Sequence, residues 1–217
     1  MALRVSNNSA RRVHHPLSRT EVKYILLVYL LIYFALAFVL PSYRVWKRTG
    51  VNPVTFSGAD DTHDYIGKLF KIVMLGLTLV VILYAFAPQF YPFTLPVVWL
   101  ENKAVQFAGI GLLLLSLGWT VAAQIQMGNS WRIGIDEEKQ TALVESGLFR
   151  FSRNPIFLGM LVTLLGFFLA APNALTLLIS VLGFVLIQIQ VRLEEEFLLK
   201  TRGVDYDEYR RRVRRWL

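Results

Sequence analysis

Five long apolar runs, at 24–40, 69–87, 104–123, 156–171 and 174–190, constrain this chain more than any other feature. A helix needs roughly 20 apolar residues to cross a bilayer, with a range of about 17–25. With 55% of its 217 residues hydrophobic, the chain carries more apolar surface than a soluble domain of this size could hide. The first run begins at Tyr24, too far in and too long for a signal-peptide core. It is followed by Pro41-Ser-Tyr-Arg44 rather than a small-residue cleavage site, which reads as an anchor that ends at Leu40. The expectation is an all-α integral membrane protein with about five transmembrane helices, a C-terminal helical hairpin and an amphipathic tail helix.

The last two runs are joined only by Pro172-Asn173, so they form a tight antiparallel hairpin. Gly159, Thr163 and Gly166 recur at i, i+4, i+7 on the first arm, and Ser180 with Gly183 lie on the second. Small residues at that spacing let helices approach closely in lipid, and packing is their reading here. The hairpin brings the loop 147–155 and the tail from 191 to one side. With five spans, that side also collects Arg44, Lys47, Arg48, Lys68, Arg132 and Lys139, together with eight basic tail residues. The excess of Lys and Arg marks it as cytoplasmic. The N-terminal Arg4, Arg11, Arg12, Arg19 and Lys23 run against this rule, a conflict that a further re-entrant segment near 41–66 would relieve. The organisation expected is a polar segment 1–23, an N-terminal pair of membrane helices with their loops over 24–100, and a functional core over 101–217.

The formal net charge of +8 does not point to nucleic acid, because the basic residues sit beside the spans, where they meet anionic headgroups. No cysteine is present, which excludes disulfides and thiolate chemistry. His14, His15 and His63 are scattered, with no metal-ligand spacing, and no Walker or dinucleotide-binding glycine motif occurs. No metal is expected. Any cofactor must be held by membrane helices and their ends.

Three places could do so. The segment Gln124-Ile-Gln-Met-Gly-Asn-Ser-Trp-Arg-Ile-Gly-Ile-Asp136 mixes amides, a hydroxyl and an arginine beside the bilayer. Trp131 and Arg132 serve there either as an interfacial anchor or, for Arg132, as a substrate contact. Gly147-Leu-Phe-Arg-Phe-Ser-Arg-Asn-Pro155 leads into the fourth run, and Pro155 pre-sets a helix start whose exposed N–H groups favour an anion beside Arg153. Glu194-Glu195-Glu196 leave the bilayer on the facing arm. Three successive residues cannot share one helical face, so at most two point inward, and carboxylates contribute little to topology. Beyond Gly203, Tyr206, Tyr209, Val213 and Trp216 recur at three- and four-residue spacing among five arginines, an amphipathic helix suited to the interface or to closing over the hairpin.

At these residues the chain resembles the isoprenylcysteine carboxyl methyltransferase and phospholipid methyltransferase superfamily. That pattern is a glycine-aromatic-arginine segment leading to Arg-His-Pro-x-Tyr-x-Gly, a hydrophobic hairpin, then Glu-Glu before Gly-x-x-Tyr-x-x-Tyr. Here it reads Gly147-Leu-Phe-Arg-Phe-Ser-Arg153-Asn154-Pro155-Ile-Phe157-Leu-Gly159, then Glu194-Glu195 and Gly203-Val-Asp-Tyr206-Asp-Glu-Tyr209. Gly128-Asn-Ser-Trp131-Arg132-Ile-Gly134 looks like the bacterial branch. The likeness covers roughly 100–217. It implies a methyltransferase of the inner membrane with a helical S-adenosyl-L-methionine site open to the cytosol and a lipophilic substrate reached from the bilayer. By position it assigns cofactor contacts to Gly147, Leu148, Phe149, Arg153, Asn154, Pro155, Phe157, Glu194 and Glu195. Two departures stand out: the family histidine is Asn154 and the family tyrosine is Phe157. Neither replacement can carry charge, so acid–base work at these positions is weakened more than cofactor binding.

A methyl already activated on a sulfonium needs chiefly alignment and exclusion of water. A carboxylate acceptor, as in isoprenylcysteine carboxyl methylation, needs only an arginine to hold it, and Arg132 is the candidate. A thiol or amine acceptor needs a base. Two other readings are an NADPH-dependent membrane reductase of the sterol-reductase type and a non-catalytic membrane protein of the same fold.

Overall fold

The computed structural model describes residues 19–50, 62–131 and 143–217. Every regular element among them is helical. α1 (Arg19–Phe34) continues through a π-helical turn (Ala35–Val39) into α2 (Leu40–Thr49). α3 (Thr62–Phe86) is followed by short 3-10 turns and α4 (Lys103–Met127). α5 (Pro155–Ala170) and α6 (Ala174–Arg202) form the hairpin, and α7 (Val204–Arg212) folds back on it. Four helices are long and apolar enough to span a membrane: Glu21–Thr49, Asp64–Phe86, Lys103–Met127 and Ala174–Arg202. α5 is shorter, at 16 residues.

The first helix does not stop at Leu40, as the proline suggested. Proline has no N–H, so Pro41 cannot bond the carbonyl four residues back, that of Ala37. The chain inserts a π turn, in which Leu40 N–H reaches Ala35 O. The stranded Ala37 carbonyl accepts instead from Gln124 Nε2 of α4 at 2.7 Å. The helix therefore survives its proline and ends at Gly50, whose φ of 67° closes it in the left-handed region.

α4 and α5 run antiparallel in close contact. A methyl group on Gly109 would lie 2.5 Å from the Ala170 nitrogen and 2.8 Å from the Gly166 carbonyl oxygen, so the crossing exists only because these positions are bare. At the far end the Pro172-Asn173 turn docks on the α3–α4 connection. Val97 N donates to Pro172 O at 2.9 Å, and Ala174 N to Leu95 O at 3.1 Å. Asn173 caps α6 reciprocally with Thr176. One core cluster reaches from Val22 and Tyr33 in α1 through Val80 in α3 to Phe167 and Leu186 in the hairpin. The opposite end of the bundle gathers the end of α4, the turn Gly147–Arg150, the start of α5, the last turns of α6, and α7. The loop before α5 and the chain after α6 thus share one end. α6 runs helical past the expected exit at Gln190 to Arg202, which carries all three glutamates on a rigid element.

Candidate active site

The site end is organised around one carboxylate. Glu195 Oε1 accepts from Arg153 Nη2 at 3.0 Å, Asn154 Nδ2 at 3.1 Å and Arg215 Nε at 3.2 Å, while Oε2 accepts from Arg215 Nη2 at 2.8 Å. The side chains of Arg153 and Glu195 are only 9% and 8% exposed. Arg153 Nη1 donates to Arg210 O at 2.8 Å and Val213 O at 3.0 Å, and its backbone N to Arg214 O at 2.9 Å. Ser152 Oγ and Asn154 Nδ2 both donate to Arg215 O. The residues after α7 are thereby clasped over the start of α5. The hydrogen bonds that Arg215 donates to Glu195 raise its pKa further, so this guanidinium stays charged.

The turn before α5 is tied to its neighbours on both sides. Leu148 N donates to Gln126 Oε1 at 2.7 Å, and Tyr209 OH to Phe149 O at 2.7 Å. Gly147 sits at φ 62°, and a Cβ there would fall 2.5 Å from Gln126 Cδ, so the residue is glycine for two reasons. Trp119 Nε1 donates to Pro155 O at 2.8 Å. Burial, and secondarily the Glu145 carboxylate, push the Tyr209 phenol up to about 12. Burial, then the Glu195 charge, raise that of Tyr206 as well. Both stay protonated near neutral pH and neither is a base.

Beside this clasp lies a cavity of about 1100 Å³. Its polar end is lined by Trp131, Phe149, Asn154, Phe157, Glu194 and Tyr206. Its apolar end is lined by Leu31, Phe34 and Phe38 of the first helix and Phe70, Met74 and Leu75 of α3. Leu31, Phe34 and Leu75 are also exposed on the outer surface, at 64%, 52% and 58%, so the cavity reaches the face that meets lipid. No hydrogen bond or ion pair among the described residues engages the Glu194 carboxylate, in contrast to its neighbour.

Of the residues singled out from the sequence, Phe149, Arg153, Asn154, Pro155, Phe157 and Glu194 line this cavity together. Gly147 and Leu148 brace the turn behind it. Glu195 is turned away into the clasp. Arg132 lies outside the described residues, and with it the contact expected for a carboxylate acceptor. Arg215, Gln126 and Trp119 were not singled out. Gln126 belonged to an amide-rich stretch that drew notice, but nothing marked Arg215 among five tail arginines.

An arginine–asparagine–proline helix start, Glu194 and a tyrosine-bearing tail therefore meet in space at one cavity, with Glu195 tied into the clasp beside it. Residues 105–203 match the phospholipid methyltransferase family. This segment belongs to that family. It falls within the superfamily that also includes the isoprenylcysteine carboxyl methyltransferases, and the match covers α4, α5 and α6, the helices that carry the site. No curated protein matches the chain. Residues 105–203 thus carry the likeness to a membrane methyltransferase family, and four helices of the chain are long and apolar enough to cross a membrane.

Two features suit the cofactor such chemistry uses. The Glu194 carboxylate faces the polar end without a protein cation to neutralise it, which favours a ligand bearing hydroxyl donors or positive charge. The first turn of α5 presents the N–H groups of Ile156 and Phe157, which have no intrahelical partner, beside the same space. The donor set is all oxygen and nitrogen, and no group of His, Asp and Glu among the described residues could hold a metal ion.

Proposed function

We propose that this protein transfers the methyl group of S-adenosyl-L-methionine to a lipophilic acceptor drawn from the bilayer, with 101–217 as its methyltransferase core. The single observation that supports this most is the cavity, which joins a polar end beside Glu194 to an apolar end at the outer surface of α1 and α3. A water-soluble donor and a membrane-bound acceptor need one space reached from both phases. The cofactor supplies an electrophilic methyl group, whose bond to sulfur breaks with the electron pair leaving on sulfur as the bond to the acceptor forms.

The chain's own residues bind, orient and dry the site. Glu194 takes the hydroxyl or cationic part of the cofactor, and Asn154 and the Ile156 and Phe157 N–H groups line its anionic part. Phe149 and Phe157 pack against its flat portions. Arg153 and Glu195 hold these groups in place rather than touching the ligand. The Phe157 and Asn154 departures remove a hydroxyl and a titratable ring, which is tolerable where alignment does most of the work. The family match favours methyl transfer over the NADPH-dependent reductase reading.

Calorimetry on the purified protein should register S-adenosylmethionine and its demethylated product and no NADPH. Labelled-methyl transfer into membrane extracts should yield a lipid-phase product. NADPH binding without either sulfur ligand would overturn the assignment. The site is proposed to face the cytoplasm, so cysteines introduced at Lys139 and Arg214 should both resist an impermeant reagent added outside intact cells. Labelling of either one refutes that sidedness.

A further inference from the structure

A second hollow lies on the other side of the first helix from the cavity. Leu36, Leu40, Arg44 and Arg48 recur every four residues across the π turn and α2. Residues at that spacing stack along one edge of a helix. All four line a groove of about 130 Å³ whose facing wall includes Val121 and Ile125 of α4. Both helices run toward the site end of the bundle, where α2 meets the turn Gly128–Ser130. The groove is therefore apolar toward the middle of the bundle and doubly cationic at its end.

Both arginines are exposed, and no hydrogen bond or ion pair among the described residues engages either one. Their neighbours show the depth at which they sit. Tyr43 and Trp46 stand exposed on α2 with ring centroids 6.3 Å apart, and Lys47 Nζ lies 5.8 Å from the Tyr43 ring. Exposed aromatic and basic residues together at the end of a spanning helix mark the headgroup layer. In that layer the abundant anion is a lipid phosphate. Two unpaired guanidinium groups one turn apart can close on one phosphate, and basic pockets between membrane helices hold anionic headgroups. Arginines that only snorkelled to water would need no apolar floor beneath them. The apolar track also continues along α4, where Leu114, seven residues before Val121 and on the same face, is exposed.

We infer that this groove holds one anionic phospholipid, its phosphate between Arg44 and Arg48 and the first methylenes of one acyl chain along Leu36, Leu40, Val121 and Ile125. The rest of the chain lies on the outer face of α4 toward Leu114. This lipid is not the methyl acceptor. Gln124 and Trp131 line both the groove and the large cavity, so they form the wall between the two. A lipid seated outside that wall braces it without entering the cavity. The inference does not depend on the methyltransferase reading.

Native mass spectrometry tests this on the full chain, released from mixed micelles of phosphatidylglycerol and phosphatidylcholine with identical acyl chains. The wild type should retain phosphatidylglycerol in about tenfold preference, since each arginine near a charged headgroup layer contributes to that discrimination. The double variant Arg44→Gln/Arg48→Gln should bring the two lipids within about threefold. Arg192→Gln/Lys200→Gln removes the same charge from exposed positions on α6 and should keep the preference. Ile125→Gln leaves both arginines in place and should also lower phosphatidylglycerol retention, by about threefold or more. It carries the test should the arginine variant fail to fold. Glycerol 3-phosphate, which offers the phosphate without the chains, should not displace the lipid. Equal retention of the two lipids by the wild type, or a preference that survives Arg44→Gln/Arg48→Gln, would overturn the inference. An equal loss in the α6 variant would reduce the site to general surface charge, and displacement by glycerol 3-phosphate would make it a site for a soluble phosphate; either result also overturns it.

Discussion

Glu195 accepts hydrogen bonds from Arg153, Asn154 and Arg215, whereas Glu194, one residue earlier on the same helix, lines the cavity with no cation drawn to it. The two carboxylates are rotated by roughly 100° on α6, and that rotation separates two tasks. One ties the loop before α5, the end of α6 and the tail into a single rigid body. The other is the one we propose for the ligand, held in place by the rigidity of the first. A site of this kind needs a neutralised carboxylate to build it and an un-neutralised one to use.

The largest effect should come from the structural member. Glu195→Gln leaves Arg153 as an uncompensated, nearly buried charge, and breaking a buried pair in this way is worth about 3–5 kcal/mol. Thermal unfolding in detergent should show a clear loss of stability; an unchanged midpoint would break the contrast. Glu194→Gln should do the reverse. It should leave the midpoint close to wild type and weaken S-adenosylmethionine binding by on the order of 10- to 100-fold, the loss of one charge-assisted hydrogen bond. Glu196→Gln, on the exposed face, should change neither quantity. Tyr209→Phe removes the donor to the Phe149 carbonyl and should lower stability by about 1 kcal/mol. Arg215→Met should lose less than about 1 kcal/mol, because that side chain is 35% exposed and solvent screens its pairing. If Arg215→Met proved as damaging as Glu195→Gln, the tail rather than the carboxylate would be the keystone.

Much of this was legible in the sequence. Apolar runs placed α3 to α6, Pro172-Asn173 placed the hairpin turn, and the order arginine–asparagine–proline, then Glu-Glu, then paired tyrosines brought the site to one end. The spacing Gly159, Thr163, Gly166 marked the face that α4 meets. What could not be read were contacts set by rotation or by distant chain. Spacing alone does not say which of three successive glutamates turns inward, and here Glu195 goes to the clasp and Glu194 to the cavity. Pro41 signals a stop unless a donor elsewhere satisfies Ala37, and that donor, Gln124, lies 87 residues away. Arg215 is one of five tail arginines, selected only because the chain leaves α7 at Val213 and doubles back over Ser152.

α5 has a consequence for the bilayer itself. At about 1.5 Å per residue its 16 residues reach about 24 Å, against roughly 30 Å of hydrocarbon in a typical membrane. α4 and α6, at 25 and 29 residues, have no such shortfall. A bilayer crossed by α5 would have to thin by several ångströms beside it, at a fraction of a kcal/mol per ångström. Hydrophobic mismatch of that kind would draw headgroups toward the end of α5 that begins at Pro155, beside the candidate site.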